Sequence, residues 1–192
     1  MNALLRNRLL ALAATLALGG GGALVVQHAP PPTTQAVQLA MEIGSHYESG
    51  GRHIGVPYID KIGKGQPLTV CRGVTGAGVV AGKYYSPEDC ERLELPRYLE
   101  AERLAKAALR FWGTYNVWVQ ASIIDMVYNL GASVLNGTTL VRLANGGDLD
   151  GACAQMPRWV FGTVNGKSVM LAGLVDRRMT TRELCAEWGR PG

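Results

Sequence analysis

Apolar and polar positions divide the 192-residue chain into zones with different periods. From Leu9 to Val26 only Thr15 interrupts a run of apolar and small residues. From Ala36 to Tyr47 the apolar positions Val37, Leu39, Ala40, Met41, Ile43 and Tyr47 recur close to the helical period. This predicts a helix that Ser49-Gly50-Gly51 breaks just past Glu48. Ile54 to Val80 holds no helical period and mixes β-branched residues with Gly and Pro. It predicts a small antiparallel sheet with turns at Gly63-Lys64-Gly65 and Gly76-Ala77-Gly78.

Helical patterning returns at Ser86-Pro87-Glu88-Asp89, which supplies a capping hydroxyl, a first-turn proline and first-turn acids. Pro96 is expected to restart or kink this helix, and Arg97 to Trp112 continues as a strongly amphipathic one. Val117 to Leu130 is the most apolar helical segment and is expected to be buried. Asn136 to Thr139 opens a helix over Leu140 to Ala144, closed by Asn145-Gly146-Gly147, and Asp148 to Met156 forms another. Trp159-Val160-Phe161 and Val169-Met170-Leu171 flank Asn165-Gly166, a hairpin signal. A last helix is expected over Arg177 to Glu187. The pattern predicts an α+β fold, with a small β-rich N-terminal lobe, a larger helical C-terminal lobe and a cleft between them.

The N-terminal zone changes the picture of where the protein works. Arg6 and Arg8 precede the apolar run, which is the pattern of an export segment. Its length lies between a secretory segment and a spanning helix of about 20 residues. Ala fills one half and Gly19-Gly20-Gly21-Gly22 breaks the other, so a helix here is weakly hydrophobic and conformationally weak. The exit, Val26-Gln27-His28-Ala29 before Pro30-Pro31-Pro32, is a poor substrate for signal peptidase. Residues 1–29 are therefore expected to be an exported, inefficiently cleaved anchor that can leave the bilayer. A cleaved signal and a permanent anchor are the alternatives. Residues 30–35 form a stiff Pro-rich linker, and 36–192 the exported domain. The arginines orient the N-terminus to the cytoplasm and the domain to the periplasm.

Charge narrows the partners. The formal net charge is +4, but outside Arg6 and Arg8 the chain carries 17 basic and 15 acidic residues. That balance argues against nucleic acid, whose binders concentrate basic charge on one face. The cysteines, Cys71, Cys90, Cys153 and Cys185, include no C-x-x-C pair, and His28, His46 and His53 are not at ligand spacing with them. Zinc is not expected. Two disulfides in an oxidising compartment are expected instead. Three connectivities are open; Cys71–Cys90 with Cys153–Cys185 is the preferred one, against free thiols.

The chemistry is concentrated between Glu48 and Gly76. Glu48 stands at the junction of the first domain helix and the sheet, where it could serve as a general acid or simply pair with Arg52. Asp60 and Thr69, at the start of the sheet and in a later strand, could position and activate a water. Singly, each is as well explained as a turn-capping aspartate or an ordinary strand threonine. His53 reads as a polar wall residue. No G-x-S-x-G or Cys/His nucleophile pattern is present, and the glycine run lacks the Lys-Ser/Thr of a phosphate loop.

The order of helix, Glu48, Gly-rich turn, Tyr58-Ile59-Asp60 and Thr69-Val70-Cys71-Arg72-Gly73-Val74-Thr75 resembles the phage-type lysozymes, the endolysins. The similarity runs over about residues 36–188. It continues through Trp118 to Ala121, Tyr128-Asn129-Leu130-Gly131, Thr139-Leu140, Asn145 to Asp148 and Arg158-Trp159-Val160. It ends with Gly173 to Arg178 and Glu183-Leu184-Cys185. The N-terminal segment is similar to the signal-anchor-release segments of one endolysin subgroup, although this one contains no cysteine.

The resemblance implies a lysozyme-like fold and a monomer that hydrolyses the β-1,4 bond between N-acetylmuramic acid and N-acetylglucosamine in peptidoglycan glycan strands, without a cofactor or metal. It implies Glu48 as general acid, Asp60 as the carboxylate that orients or activates water, and Thr69 as its hydroxyl partner. The Glu48–Asp60 and Asp60–Thr69 intervals are each three residues longer than is usual in the family. Gly50 to Val56 and Ile62 to Gln66 are therefore expected to bulge outward as loops. A lytic transglycosylase, or a membrane-tethered wall-binding protein without activity, is the alternative.

Overall fold

A computed structural model describes residues 1–18, 33–60, 65–164 and 166–188. The glycine run, the three prolines and most of the expected loop after Asp60 lie outside these residues. The elements in order are α1 (Ala3–Leu18), α2 (Gln35–Ser49), β1 (Tyr58–Ile59), β2 (Leu68–Val70), β3 (Val74–Thr75), α3 (Pro87–Ala108) and α4 (Val117–Leu130). They continue with α5 (Thr139–Asn145), α6 (Leu149–Gln155), β4 (Phe161–Val164), β5 (Lys167–Met170) and α7 (Ala172–Ala186).

The larger lobe is built on α4. Asn116 caps it through Oδ1, which accepts from the Trp118 and Val119 amides. Val119, Ile123, Ile124, Met126 and Val127 are buried among α2, α3 and α7. Buried on most sides, this helix forms the floor on which the others pack, and its buried polar residues Ser122 and Asp125 are hydrogen-bonded. The Cys153–Cys185 disulfide joins α6 to α7, and Cys71–Cys90 joins the small sheet to the start of α3. Both preferred pairings are thus present.

The small lobe has its own core of Val70, Cys71, Val74, Tyr85 and Cys90. Its sheet is antiparallel in the order β1-β2-β3, with Tyr58 opposite Thr69 and Thr69 opposite Thr75. The expected turn at Gly76-Ala77-Gly78 is present just after β3, closed by the Val79 amide on Gly76 O at 3.0 Å. A further turn at Cys71-Arg72-Gly73 joins β2 to β3; Cys71 adopts φ 58° and Gly73 φ 83°, and the disulfide and the Cys71 amide bond to Ile54 O hold the former there. Two local expectations are corrected. Pro96 does not restart a helix: α3 runs through it from a complete Ser86/Asp89 capping box. The last helix starts five residues before Arg177, at Ala172.

α1 is docked on the larger lobe. Leu5 and Leu9 are fully buried in its core, Arg8 Nε lies 2.8 Å from Glu42, and the Arg6 guanidinium lies over the Trp188 ring. Among the described residues no helix is long and apolar enough to cross a membrane.

Candidate active site

The last turn of α2 carries Glu48. The helix stops there because Gly50 takes φ 61°, and the Gly50 and Gly51 amides close back on His46 O and Ser45 O, both at 2.9 Å. Only glycine adopts such a C-terminal turn without strain. Glu48 is thereby left at the helix rim, its side chain 31% exposed, in a cleft of about 570 Å³. Arg72 and Gly73 of the small lobe form one wall; Arg97, Leu104, Tyr128 and Asn129 of α3 and α4 belong to the other. This volume lies in the range of small-molecule sites.

Glu48 does not pair with Arg52, whose Nε donates instead to Ser49 O. Its partner is Arg177 of α7, which donates from Nη1 to Glu48 Oε1 at 2.5 Å. The same guanidinium grips the fully buried Asp125 of α4 at 3.0 Å from Nε and 2.7 Å from Nη2. Such a two-pronged contact fixes both distance and plane. Burial works against the Arg177 charge, but Asp125 and Glu48 outweigh it and hold the guanidinium more firmly protonated than a free one. Tyr47, next to Glu48, reinforces the α2–α7 seam through a 2.6 Å hydroxyl contact with Thr180.

Thr69 is buried on β2, directly across from Tyr58, and its hydroxyl donates to Pro67 O at 3.1 Å. Asp60 continues the pairing past β1 through its amide bond to Pro67 O, and strand alternation sets it on the face of Tyr58 and Thr69. Partial burial, then the charges of Asp60 and Glu48, raise the Tyr58 phenol above its ordinary value. The three expected residues therefore come from α2 and from one face of the sheet, with Tyr58 within electrostatic reach of both carboxylates.

Asp125 and Arg177 received no role from the sequence. A lone acid in the most apolar helix was the available signal, because a fully buried charge requires a partner. Arg177-Arg178 was visible as a motif, but nothing local indicated that it reaches 129 residues back to Glu48.

The turn of the β2–β3 hairpin is tied across the cleft wall. The Arg72 amide and Nη1 donate to the two oxygens of buried Glu94, at 2.9 and 2.8 Å. Tyr128 donates to Arg72 O at 3.1 Å, and Arg97 to Gly73 O and Thr75 O at 3.2 and 3.3 Å.

A β-lobe over a helical lobe, with a glutamate on an arginine at the base of the cleft, defines a lysozyme-like fold. The phage lysozyme family profile matches residues 54–181. The chain belongs to the phage lysozyme family. The SAR-endolysin of Bacteriophage PS119 is 33% identical over 134 residues, covering 70% of this chain and 74% of the relative. That of Enterobacteria phage P21 is 32% identical over 135 residues, covering 70% and 76%. Among solved structures, the endolysin from Escherichia coli O157:H7 phage FAHEc1 superposes with a TM-score of 0.69 at 18% identity, covering 86% of this chain and 99% of that one. The active form of P1 phage endolysin Lyz gives 0.65 at 21% identity, covering 92% of each. Glu48 precedes the matched interval; Asp60 and Thr69 fall inside it.

Proposed function

We propose that this chain is an endolysin muramidase, which hydrolyses the β-1,4 bond between N-acetylmuramic acid and N-acetylglucosamine in host peptidoglycan. The observation that carries this reading is the placement of Glu48 at the cleft base on an Arg177 that buried Asp125 holds rigid. Because Oε1 faces Arg177, Oε2 is the oxygen that would carry the proton to the glycosidic oxygen. Asp60 and Thr69, on one face of the sheet, would orient and activate the attacking water. Two such carboxyl groups about 6.5–9.5 Å apart give inversion, and about 5–5.5 Å retention.

Localisation belongs to the same proposal. Residues 1–29 would hold the chain in the inner membrane, with residues 36–192 in the periplasm, and then leave the bilayer to give a released monomer. The burial of Leu5 and Leu9 and the Arg8–Glu42 pair support a destination for that segment on the enzyme itself.

The test is purified full-length chain on a peptidoglycan suspension, with mass analysis of the products. Clearing with reducing muramic-acid ends supports the reading. Clearing with 1,6-anhydro ends would identify a transglycosylase instead, and binding without clearing would refute both enzymes.

A further inference from the structure

Consecutive arginines on α7 contact two residues one turn apart on α4. Arg177 takes Asp125, and Arg178 Nη2 donates to Asn129 Oδ1 at 2.9 Å. Arg178 is fully buried, and burial pushes its guanidinium down to about 10. Its Nη2 also lies 3.6 Å from Asp125, while Nε and Nη1 have no partner. Asn129 Oδ1 is thus a main acceptor for a buried cation.

The chemistry of the pair fixes the carboxamide. A guanidinium offers donors only, so Asn129 must turn its oxygen inward. Its Nδ2 then points away from Arg178, on a half-buried residue that lines the cleft with Glu48. Rotating the amide by 180° would set donor against donor beneath the cleft wall. Ala101 and Leu104 line the same cleft and give it apolar surface as well as this donor.

We propose that Asn129 is a specificity-determining residue whose Nδ2 donates to the carbonyl of a sugar 2-acetamido group, with Arg178 as its positioning residue. A cleft that holds both a fixed amide donor and apolar side chains suits a ligand that joins a carbonyl to a methyl. This inference rests on the reading that the cleft holds an N-acetylated glycan strand. A neutral donor whose acceptor is removed loses one hydrogen bond, about three- to tenfold in an equilibrium or rate constant.

The experiment compares full-length wild type, Asn129→Asp and Asn129→Ser on peptidoglycan strands from one source, before and after chemical de-N-acetylation. Asn129→Asp keeps an acceptor for Arg178 and removes the donor; Asn129→Ser removes the amide donor without adding charge. On acetylated strands both variants should raise KM about three- to tenfold with little change in kcat. The preference of the wild type for acetylated over de-N-acetylated strands should shrink by the same factor in the neutral Ser variant. Equal losses on both substrates, or no loss on either, would overturn the proposal. If thermal melting shows one variant unfolded, the other decides. Failure of the wild type to cleave either strand would refute the muramidase reading instead, so the two failures are distinguishable.

Discussion

Arg177 Nη1 and Glu48 Oε1 meet at 2.5 Å although α7 and α2 stand at opposite ends of the sequence. Arg177 is itself clamped to Asp125, so the position of the acid is set by the packing of α7 on α4. Replacing Glu48 by Gln keeps the shape and an oxygen for Arg177 while removing the transferable proton. Wall hydrolysis should fall at least about 10²-fold, the scale of general-acid catalysis, with the melting temperature nearly unchanged. A Gln variant with full lytic activity would remove Glu48 from the mechanism.

Asp125→Ala should act on the fold first. It leaves Arg177 buried beside a single carboxylate and Arg178 without its second contact. Loss of one partner of a buried charged pair costs about 3–5 kcal/mol. Denaturant unfolding measures it, and a change below about 1 kcal/mol would show that the cluster is not structurally important.

A Cβ added at Gly44 would lie 1.9 Å from the Tyr98 hydroxyl oxygen, which has no hydrogen-bond partner although Tyr98 is fully buried. Gly44→Ala should therefore destabilise by about 1–3 kcal/mol through overpacking. Tyr98→Phe removes an unpaired buried hydroxyl and should be neutral or stabilising. In the double variant Tyr98→Phe should recover part of the Gly44→Ala loss; simple additivity in thermal melts would count against the predicted clash.

Alkali should unfold the protein through its tyrosines. Burial, the largest cause, pushes the Tyr47 and Tyr128 hydroxyls up to about 12 from an ordinary 10. Between these values the unfolded chain has released protons that the native chain retains, so rising pH favours unfolding. Their contribution is complete below about pH 10 and lost as pH rises through about 12. Chemical denaturation at pH 9, 10.5 and 12 should show the decline, and Tyr47→Phe should reduce it.

The N-terminal helix should contribute to stability in the docked state. Leu9→Ala removes a fully buried side chain and should cost about 2–5 kcal/mol if α1 rests on the enzyme in solution. An unchanged melting temperature in the soluble full-length protein would show that α1 is not docked there.

The readable parts of the sequence were those whose causes are local. The cap at Ser86, the glycine stop after Glu48 and the apolar register of Val117 to Leu130 each follow from adjacent residues, and the observed elements match them closely. Pro96 does not restart the helix because it and Arg92, one turn back, are both exposed, so solvent can reach the carbonyl that the proline leaves without a donor. The turn at Gly76-Ala77-Gly78 was legible from its glycines, but the β2–β3 turn was not, because a disulfide holds a non-glycine residue, Cys71, in the left-handed region, and sequence shows glycine preference but not that constraint. At the site, Glu48 was legible as a helix-end acid. Its partner was not, since the Glu48–Arg177–Asp125 array is assembled from three helices and has no sequence period.

The ties at the β2–β3 turn have a mechanical consequence. With Arg72 on Glu94, Tyr128 on Arg72 and Arg97 on Gly73 and Thr75, the tip of the small lobe cannot swing away without breaking bonds to both α3 and α4. Entry of a long glycan by outward rotation of the β-lobe would sacrifice these contacts together. Threading along a slot of fixed width would keep them, and spin labels on the turn and on α3 should then report one unchanged separation with and without a strand bound.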